Sequence, residues 1–272
     1  MPKDNMRDSK IFLVIIILLN LSSFSFAQKA LQPNQEVGDF SLTQYEDGGE
    51  KKWELNGASA EVLEYTIKCG EISAIAFSEN KAFKLKAKTG DFDRKNNMVH
   101  LEDGVVLKST DGATLKTDSL DWDAEDKNVS TDSYVKINKA DFQADGKGAF
   151  CNLENKTARL NKDVIANIES AGTDVLRETI VTCDGPLVID YRKNKASFNN
   201  NVRVENIQGN ILADSIDLYF KPATRRVKCV VAKGNVRILK GESVTYSKKA
   251  IYLVDENRVI LPKRPKLVIK NE

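Results

Sequence analysis

Apolar and polar residues alternate along most of the chain after residue 40, and short polar turns interrupt the alternation. Alternation with a period of two places one residue type on each face of a strand. Val-Lys-Ile at 135–137 and Val-Arg-Val at 202–204 are examples, with an apolar face opposite a basic one. Only residues 59–68 fit a short amphipathic helix as well as a strand. The pattern therefore predicts an all-β protein.

The turns mark a weak internal repeat with six copies. In five copies a polar turn lies between two apolar residues that are seven positions apart, whereas the copy from Leu218 to Val227 is longer and contains Pro222. A second polar corner follows in each copy, as at Glu102 to Gly104, and a strand resumes after it. Copies begin roughly every 30 residues, which suits two or three short strands and two corners per unit. The copies start at Phe92, Trp122, Cys151, Ile189, Leu218 and Tyr252.

Stacked units of this kind predict an elongated antiparallel β-roll, of the jellyroll or "taco" type, with a continuous apolar seam inside. The unpaired edge strands at the two ends would aggregate unless they are blunted or pair with a partner. Inward-facing apolar residues would line the seam, and ordinary core packing is the alternative role for each. The seam candidates are Phe83, Leu85, Phe92, Leu101, Leu120, Trp122, Val135, Ile137, Phe142, Leu187, Ile189, Phe198, Val204, Ile216, Leu218 and Phe220.

An apolar segment precedes the strands and predicts one N-terminal helix. Residues 11–19 are all strongly apolar, and a weaker apolar stretch continues to Ala27. As a helix this segment reaches about 25 Å, a little short of a ~30 Å hydrocarbon core. The small residues around Phe26 suit a signal peptidase, so residues 1–27 are either a cleaved signal peptide or a single membrane anchor. In both cases the rest of the chain is exported.

Charge sets few limits on function, because 41 basic and 39 acidic residues give a net charge of +2. This balance argues against nucleic acid as a partner. Residues 218–241 depart from it, since they contain basic residues but no acidic one. These basic residues could bind an anionic headgroup. Alternatively, their lysines could prevent the solvent-exposed face of the strands from pairing with the wrong strand. The headgroup candidates are Lys221, Arg225, Arg226, Lys228 and Arg237.

Residues suited to catalysis are scarce. His100 is the only histidine, so it cannot supply a metal cluster, and no Gly-x-Ser-x-Gly motif offers it a serine. Asp121 and Asp123 flank Trp122, and an inward tryptophan turns both carboxylates toward solvent. A carbohydrate-active enzyme that uses these two carboxylates is an alternative. We expect no enzyme activity and no cofactor or metal.

The four cysteines lie far apart and form no Cys-x-x-Cys motif, so they match neither zinc spacing nor a redox site. Disulfides in an oxidising compartment and plain buried thiols are both compatible with their positions in apolar strand patterns. The four are Cys69, Cys151, Cys183 and Cys229.

Several stretches resemble known families. Residues 40–60, Phe-Ser-Leu-Thr-Gln-Tyr-Glu-Asp-Gly-Gly-Glu-Lys-Lys-Trp-Glu-Leu-Asn-Gly-Ala-Ser-Ala, resemble the opening strands of the LptC family, the periplasmic components of the lipopolysaccharide exporter. The resemblance covers about 40–168, with Phe-Lys-Leu-Lys-Ala-Lys-Thr-Gly at 83–90, Leu-Glu-Asp-Gly-Val-Val-Leu at 101–107, and further stretches at 115–123 and 129–137. Residues 212–220 and 232–238 resemble the OstA-like repeat of the LptA family. The order predicts an LptC-like roll at 28–170 and an LptA/OstA-like roll at 171–272, continuous with the first.

The resemblance implies that the chain binds lipopolysaccharide and passes it from an inner-membrane ABC exporter across the periplasm toward the outer membrane. The seam candidates would then line a groove for lipid A acyl chains. The implied partners are the exporter's periplasmic domain, at the edge 40–45, and an LptA-type bridge or outer-membrane assembly partner, at the edge 267–269. The implied location is the periplasm, with an inner-membrane anchor if residues 11–27 are retained. A structural envelope or adhesin module with a closed core is a third hypothesis.

Overall fold

A computed structural model describes residues 35–45, 48–78, 81–110, 112–123, 125–139, 142–152, 154–170, 177–207, 209–223, 226–262 and 264–269. All regular secondary-structure elements in these ranges are β-strands, and each strand pair is antiparallel. The predicted all-β antiparallel class is therefore confirmed. Residues 59–68, which fitted a helix equally well, lie in two strands and the turn between them. The apolar segment 11–27 lies outside the described residues.

Most of the seventeen strands are long for a soluble protein. They are β1 (Gln35–Tyr45), β2 (Lys51–Val62), β3 (Thr66–Ser78), β4 (Lys81–Asp93), β5 (Met98–Ser109), β6 (Thr114–Asp123), β7 (Asn128–Lys139), β8 (Phe142–Asn152), β9 (Thr157–Ser170), β10 (Arg177–Cys183), β11 (Leu187–Asp190), β12 (Lys195–Asn206), β13 (Gly209–Phe220), β14 (Val227–Lys240), β15 (Ser243–Leu253), β16 (Arg258–Ile260) and β17 (Lys266–Val268).

The chain divides into two compact units. The N-terminal unit contains the described residues between 35 and 140 together with 148–156, and so includes β1 to β7. The C-terminal unit contains the described residues of 141–147 and those from 157 onward, and so includes β9 to β17. Strand β8 contributes residues to both units.

In the N-terminal unit each strand from β1 to β7 pairs with the next one along the chain. The register places apolar residues of successive strands side by side on one face of the sheet. One such row crosses six strands, from β2 to β7, and five of its six side chains are buried. Its members are Val62, Ile67, Phe92, Val99, Trp122 and Val129.

The C-terminal unit repeats this arrangement. Strands β10 and β11 both pair with β9 on one side and β12 on the other, and they are separated at the cis peptide bond between Gly185 and Pro186. From β12 to β15 each strand pairs with the next. A row of buried residues crosses six strands and consists of Leu160, Leu187, Phe198, Ile216, Ala232 and Ala250.

Except in the last copy, where residues 262–265 separate β16 from β17 as predicted, the second corner of the repeat copies differs from the prediction. The structure has a register shift inside a continuous strand pair, for example between Glu102 and Val105 and between Lys233 and Val236. Asp103 and Gly104 adopt φ angles of 62° and 75° there, in the left-handed region. An inserted residue in this conformation bends a strand without ending it. The expected two or three short strands per copy are therefore fewer, longer, bulged strands, because polar residues and glycine mark both turns and bulges.

Candidate binding cavity in the N-terminal unit

Strands β2 to β6 enclose an apolar cleft with an empty volume of about 730 Å³, which includes space open to solvent. The lining residues are Leu55, Cys69, Ile72, Ala74, Leu85, Gly90, Asp91, Phe92, Val99, Leu101, Leu107, Leu120 and Trp122.

The bulges explain why one strand lines two sides of the cleft. The register of β4 and β5 shifts between Lys86 and Thr89, and residues on both sides of this shift contribute to the wall. Leu85 lies opposite Leu107 on one side of it, and Phe92 lies opposite Val99 on the other. Each strand therefore bends at its bulge, and the inner faces of the two halves of the strand line the same cleft.

A glycine lets two parts of the wall approach closely. A Cβ atom at Gly90 would lie 2.6 Å from Cδ1 of Ile72 and 2.8 Å from Cδ2 of Leu101, closer than carbon atoms pack. Gly90 is also opposite Leu101 in the strand register. The absence of a side chain there makes room for the two larger apolar residues beside it.

The accessible wall of the cleft is apolar. Asp91 is the one lining residue with a charged side chain, and it is exposed. Burial, followed by the nearby charge of Asp91, raises the pKa of the Cys69 thiol to about 11, so this group is neutral at pH 7. A neutral thiol that is largely removed from water behaves as a small apolar group. The cleft is therefore suited to a hydrocarbon ligand and not to a charged one.

Five of the predicted seam residues line this cleft: Leu85, Phe92, Leu101, Leu120 and Trp122. Four other candidates from the same part of the sequence do not line it. Phe83, Val135 and Phe142 are buried, and Ile137 is half-buried.

The candidates of the C-terminal unit pack mainly as core. Leu187, Phe198 and Ile216 are neighbours in one buried row. Ile189 and Leu218 both lie opposite Ala196 and are half-buried. The last two candidates differ in exposure, since Phe220 is buried and Val204, opposite Ile211, is half-buried.

Eight lining residues were missed by the seam prediction: Leu55, Cys69, Ile72, Ala74, Gly90, Asp91, Val99 and Leu107. Two of them could have been predicted from the sequence, because Val99 and Leu107 are an even number of positions from the predicted Leu101 along β5 and therefore alternate in phase with it. Four others lie on β2 and β3, which precede the first traced repeat copy.

The basic candidates do not form one site. Lys221, Arg226 and Lys228 lie on the turn side of the bulge in β14, whereas Arg237 lies beyond that bulge. Nζ of Lys221 is 2.8 Å from Oδ2 of Asp255, which belongs to the next turn in the unit. The acid-free segment is thus partly neutralised by a residue outside it. Arg225 lies outside the described residues.

His100 lies between two carboxylates on the outer face of the sheet. Its Nδ1 is 2.5 Å from Oδ1 of Asp121, and its Nε2 is 2.9 Å from Oε1 of Glu102. Trp122 is buried, and the Asp121 side chain beside it is 45% exposed, as the strand alternation predicted. No group of three or more histidine, cysteine, aspartate or glutamate residues in the described ranges is arranged to hold a metal ion.

The described cysteines are free thiols, and burial raises the pKa of Cys151 to about 12. Cys183 is buried as well, and Cys69 and Cys229 are half-buried. Between the two readings left open by the sequence, the structure therefore supports plain thiols.

Within the ranges that the structure covers, no helix has the length and apolar character needed to cross a bilayer. Residues 11–169 match the family described as "Lipopolysaccharide-assembly, LptC-related", and this segment is more than half of the 272-residue chain. A search of curated proteins finds no match. The matched segment contains the whole apolar cleft. The chain therefore belongs to the LptC-related family, which acts in lipopolysaccharide transport.

Proposed function

We propose that the apolar cleft of the N-terminal unit binds acyl chains of lipid A, and that the chain passes lipopolysaccharide from an inner-membrane ABC exporter across the periplasm toward the outer membrane. The observation that carries this proposal is the cleft itself, which has an apolar wall and lies inside a sheet protein of a lipopolysaccharide-transport family.

The energetics of acyl chains explain why such a cleft is needed. Each exposed CH₂ group costs about 0.8 kcal/mol in water, so one fourteen-carbon chain costs on the order of 10 kcal/mol in an aqueous compartment. Aliphatic and aromatic side chains, such as Leu85, Phe92 and Trp122, line the cleft from both halves of the bent strands. Contact with this wall offsets the cost of exposure during transit.

Entry and exit require parts of the wall that solvent reaches. Leu85 and Val99 line the cleft and are only half-buried, whereas Leu101, Leu107 and Leu120 are buried. We place the acyl chains against these half-buried residues, because a hydrocarbon that replaces water there gains most. The phosphorylated sugars would stay outside, since the cleft wall has no polar surface for them.

The partners in this proposal meet the chain at sheet edges. In the N-terminal unit β1 pairs with β2, and its residues Phe40 to Tyr45 would pair with the exporter's periplasmic domain. In the C-terminal unit the segment Leu267 to Ile269 would pair with an LptA-type bridge or an outer-membrane assembly partner. Pairing of unlike edges is open-ended, which suits a bridge across a compartment. Residues 11–27 would anchor the chain in the inner membrane or serve as a cleaved signal.

Substitution of Leu85 by glutamate tests the cleft, because it places a carboxylate in the apolar wall. Burying a charge without a partner is costly, so acyl chains would have to be excluded or the group kept hydrated. We expect lipid A recovered with the purified protein, measured by mass spectrometry, to fall at least about tenfold, a loss that corresponds to roughly 1.4 kcal/mol.

Val106→Glu is the matched control. Val106 lies on the same pair of strands, opposite Lys86, and is half-buried but does not line the cleft. This variant should retain lipid A. Wild-type protein that carries no lipid A after export in cells that make it would refute the proposal and favour a closed structural module.

A further inference from the structure

We propose that one outer face of the N-terminal unit docks onto an anionic phospholipid membrane surface. The face lies on strands β4 to β7, on the side of the bulges away from the turns at 94–97 and 125–127. It is called the lysine face here, after its five exposed lysines, Lys84, Lys86, Lys108, Lys116 and Lys136.

The sheet register brings these lysines together. Lys84 lies directly opposite Lys108, and Lys116 lies directly opposite Lys136. The Cβ atoms of directly opposite residues are about 4.5–5.5 Å apart, and like charges in such positions destabilise a sheet. Lys86 joins the group through Val106, which has Lys86 on one side and Lys116 on the other. The fold thus accepts a repulsion here that alternating charges would have avoided.

No carboxylate neutralises the lysine face within the described residues. The ion pairs of the N-terminal unit involve other residues, such as Lys51 and His100. Acidic side chains on β5 and β6 begin at the bulges, at Glu102 and Asp118. These acidic residues lie at or beyond the register shifts and are therefore outside the lysine face. Among the described residues on this side of the bulges in β4 to β7, the lysine face therefore carries lysines and no carboxylate.

Two exposed aromatic side chains border the lysine face on its outer side. Phe77 is 38% exposed and lies opposite Ala82, two residues before Lys84. Tyr134 is 43% exposed and lies two residues before Lys136 on β7. Aromatic rings beside lysines are typical of surfaces that lie in the headgroup layer of a bilayer. The lysines are spread over four strands, about 14 Å across, and do not converge on a pocket. This geometry fits an extended anionic surface and not a single small anion.

The proposal can be tested by measuring how accessible each lysine is to acetylation when the protein is mixed with lipid vesicles. The full chain is mixed with vesicles of phosphatidylcholine, with or without phosphatidylglycerol, and the acetylation rate of each lysine is measured by mass spectrometry. One lysine near an anionic surface contributes about a fivefold change in partitioning, so we expect acetylation of the lysine face to slow at least about fivefold with phosphatidylglycerol only. High salt should remove the protection. The exposed Lys248 of the C-terminal unit should react equally in both vesicles.

A pair of variants separates docking from a protective role in folding. Lys84→Gln with Lys108→Gln removes one directly opposed pair, and Lys240→Gln with Lys248→Gln removes two exposed charges elsewhere. We expect the first variant to lose about 25-fold in partitioning, seen as faster acetylation of Lys116 and Lys136, while its unfolding midpoint stays equal or rises. The second should behave as wild type. Wild type and both variants share the same N-terminal segment. Insertion of that segment into the vesicles therefore cannot cause a difference in acetylation between them.

Three results would overturn the proposal. Equal acetylation of the lysine face in both kinds of vesicle excludes docking. Protection of Lys248 to the same extent shows a general effect of vesicles and not a specific face. Protection by lipopolysaccharide aggregates but not by phosphatidylglycerol vesicles assigns the lysine face to the headgroup of the cargo.

Discussion

Charged side chains on the outer sheet faces differ in how far they are removed from water, and this difference sets their energetic weight. The Asp217 side chain is only 5% exposed, although it faces away from the apolar row that contains Ile216. It receives hydrogen bonds from Ser197 Oγ at 2.7 Å and Lys233 Nζ at 2.6 Å, and Lys195 Nζ is 3.0 Å away. The His100 pairs, by contrast, are largely solvated.

Asp217→Asn should destabilise the protein, because it removes the negative charge that three donors surround. Hydrogen bonds to charged groups contribute about 1.5–3 kcal/mol, and we expect a loss of about 1–3 kcal/mol in the free energy of unfolding, measured by urea denaturation at neutral pH. Asp255→Asn, at a carboxylate that is 63% exposed, should cost well under 1 kcal/mol. Equal effects of the two substitutions would contradict this account.

The dependence of the free energy of unfolding on acid pH also involves Asp217. Burial opposes the charge of Asp217, but the hydrogen bonds from Lys233, Ser197 and Lys195 together hold the pKa of its carboxyl below the usual value. The unfolded carboxyl titrates near ~3.9. The stabilisation is therefore fully present above that pH and is lost as pH falls through the lower native value.

His100 should titrate above its usual range. Hydrogen bonds to Glu102 and then to Asp121 raise the pKa of the imidazole above ~6.5. The ring is the only histidine of the chain, so its NMR signals can be followed without ambiguity. Asp121→Asn should lower the His100 pKa, while Asp123→Asn, two residues away on β6, should leave it unchanged.

The sign of the stability effect follows from the raised pKa. Protonated His100 contributes fully below about pH 6.5, and the contribution is lost as pH rises through the native value. It stays below about 1 kcal/mol because the side chains are solvated. A His100 pKa at or below that of a free histidine would contradict the observed pairing.

At the scale of elements, the strands at the C-terminal end combine weak pairing with exposed apolar residues. Strands β16 and β17 each have three residues and pair with different parts of β15. Val259, Leu267 and Ile269 are all more than half exposed. Apolar side chains on a short outer strand are a liability unless a partner covers them.

Deletion of residues 260–272 should abolish binding of the LptA-type or outer-membrane partner proposed above in a pull-down. A milder test is Leu267→Lys with Ile269→Lys, because charges on an edge oppose strand pairing. We expect at least a tenfold weaker interaction, roughly 1.4 kcal/mol. Ile207→Lys, at an isoleucine that is 83% exposed in the turn after β12, is the control and should bind normally. Unchanged binding by the deletion variant would remove this role for the edge.

At the scale of the whole molecule, the sequence predicted what depends on local alternation. The polar turns flanked by Phe92 and Val99, or by Ile189 and Ala196, are found at the predicted positions, because each involves a few adjacent residues. The repeat even tolerates Pro222, which lies in a turn. The family assignment over 11–169 agrees with the resemblance found at 40–168.

The cleft could not be predicted in the same way. Its wall depends on where the register shifts in three successive strand pairs and on whether facing side chains leave space between them. Alternation identifies an inward residue such as Phe83 or Leu85, but not which of them packs as core and which lines a void. Likewise the acid-free segment gave no sign that Asp255 would reach Lys221.

The pairing of each strand with the strand before it has a consequence for biogenesis. An exported chain emerges from the translocation channel gradually, and a hairpin can form as soon as its second strand has crossed. From β1 to β7 no strand must wait for a distant segment, so the cost of loop closure stays small at every step. The N-terminal unit can thus add one paired strand after another while later strands are still being secreted. This order limits the time for which its apolar faces are exposed to water.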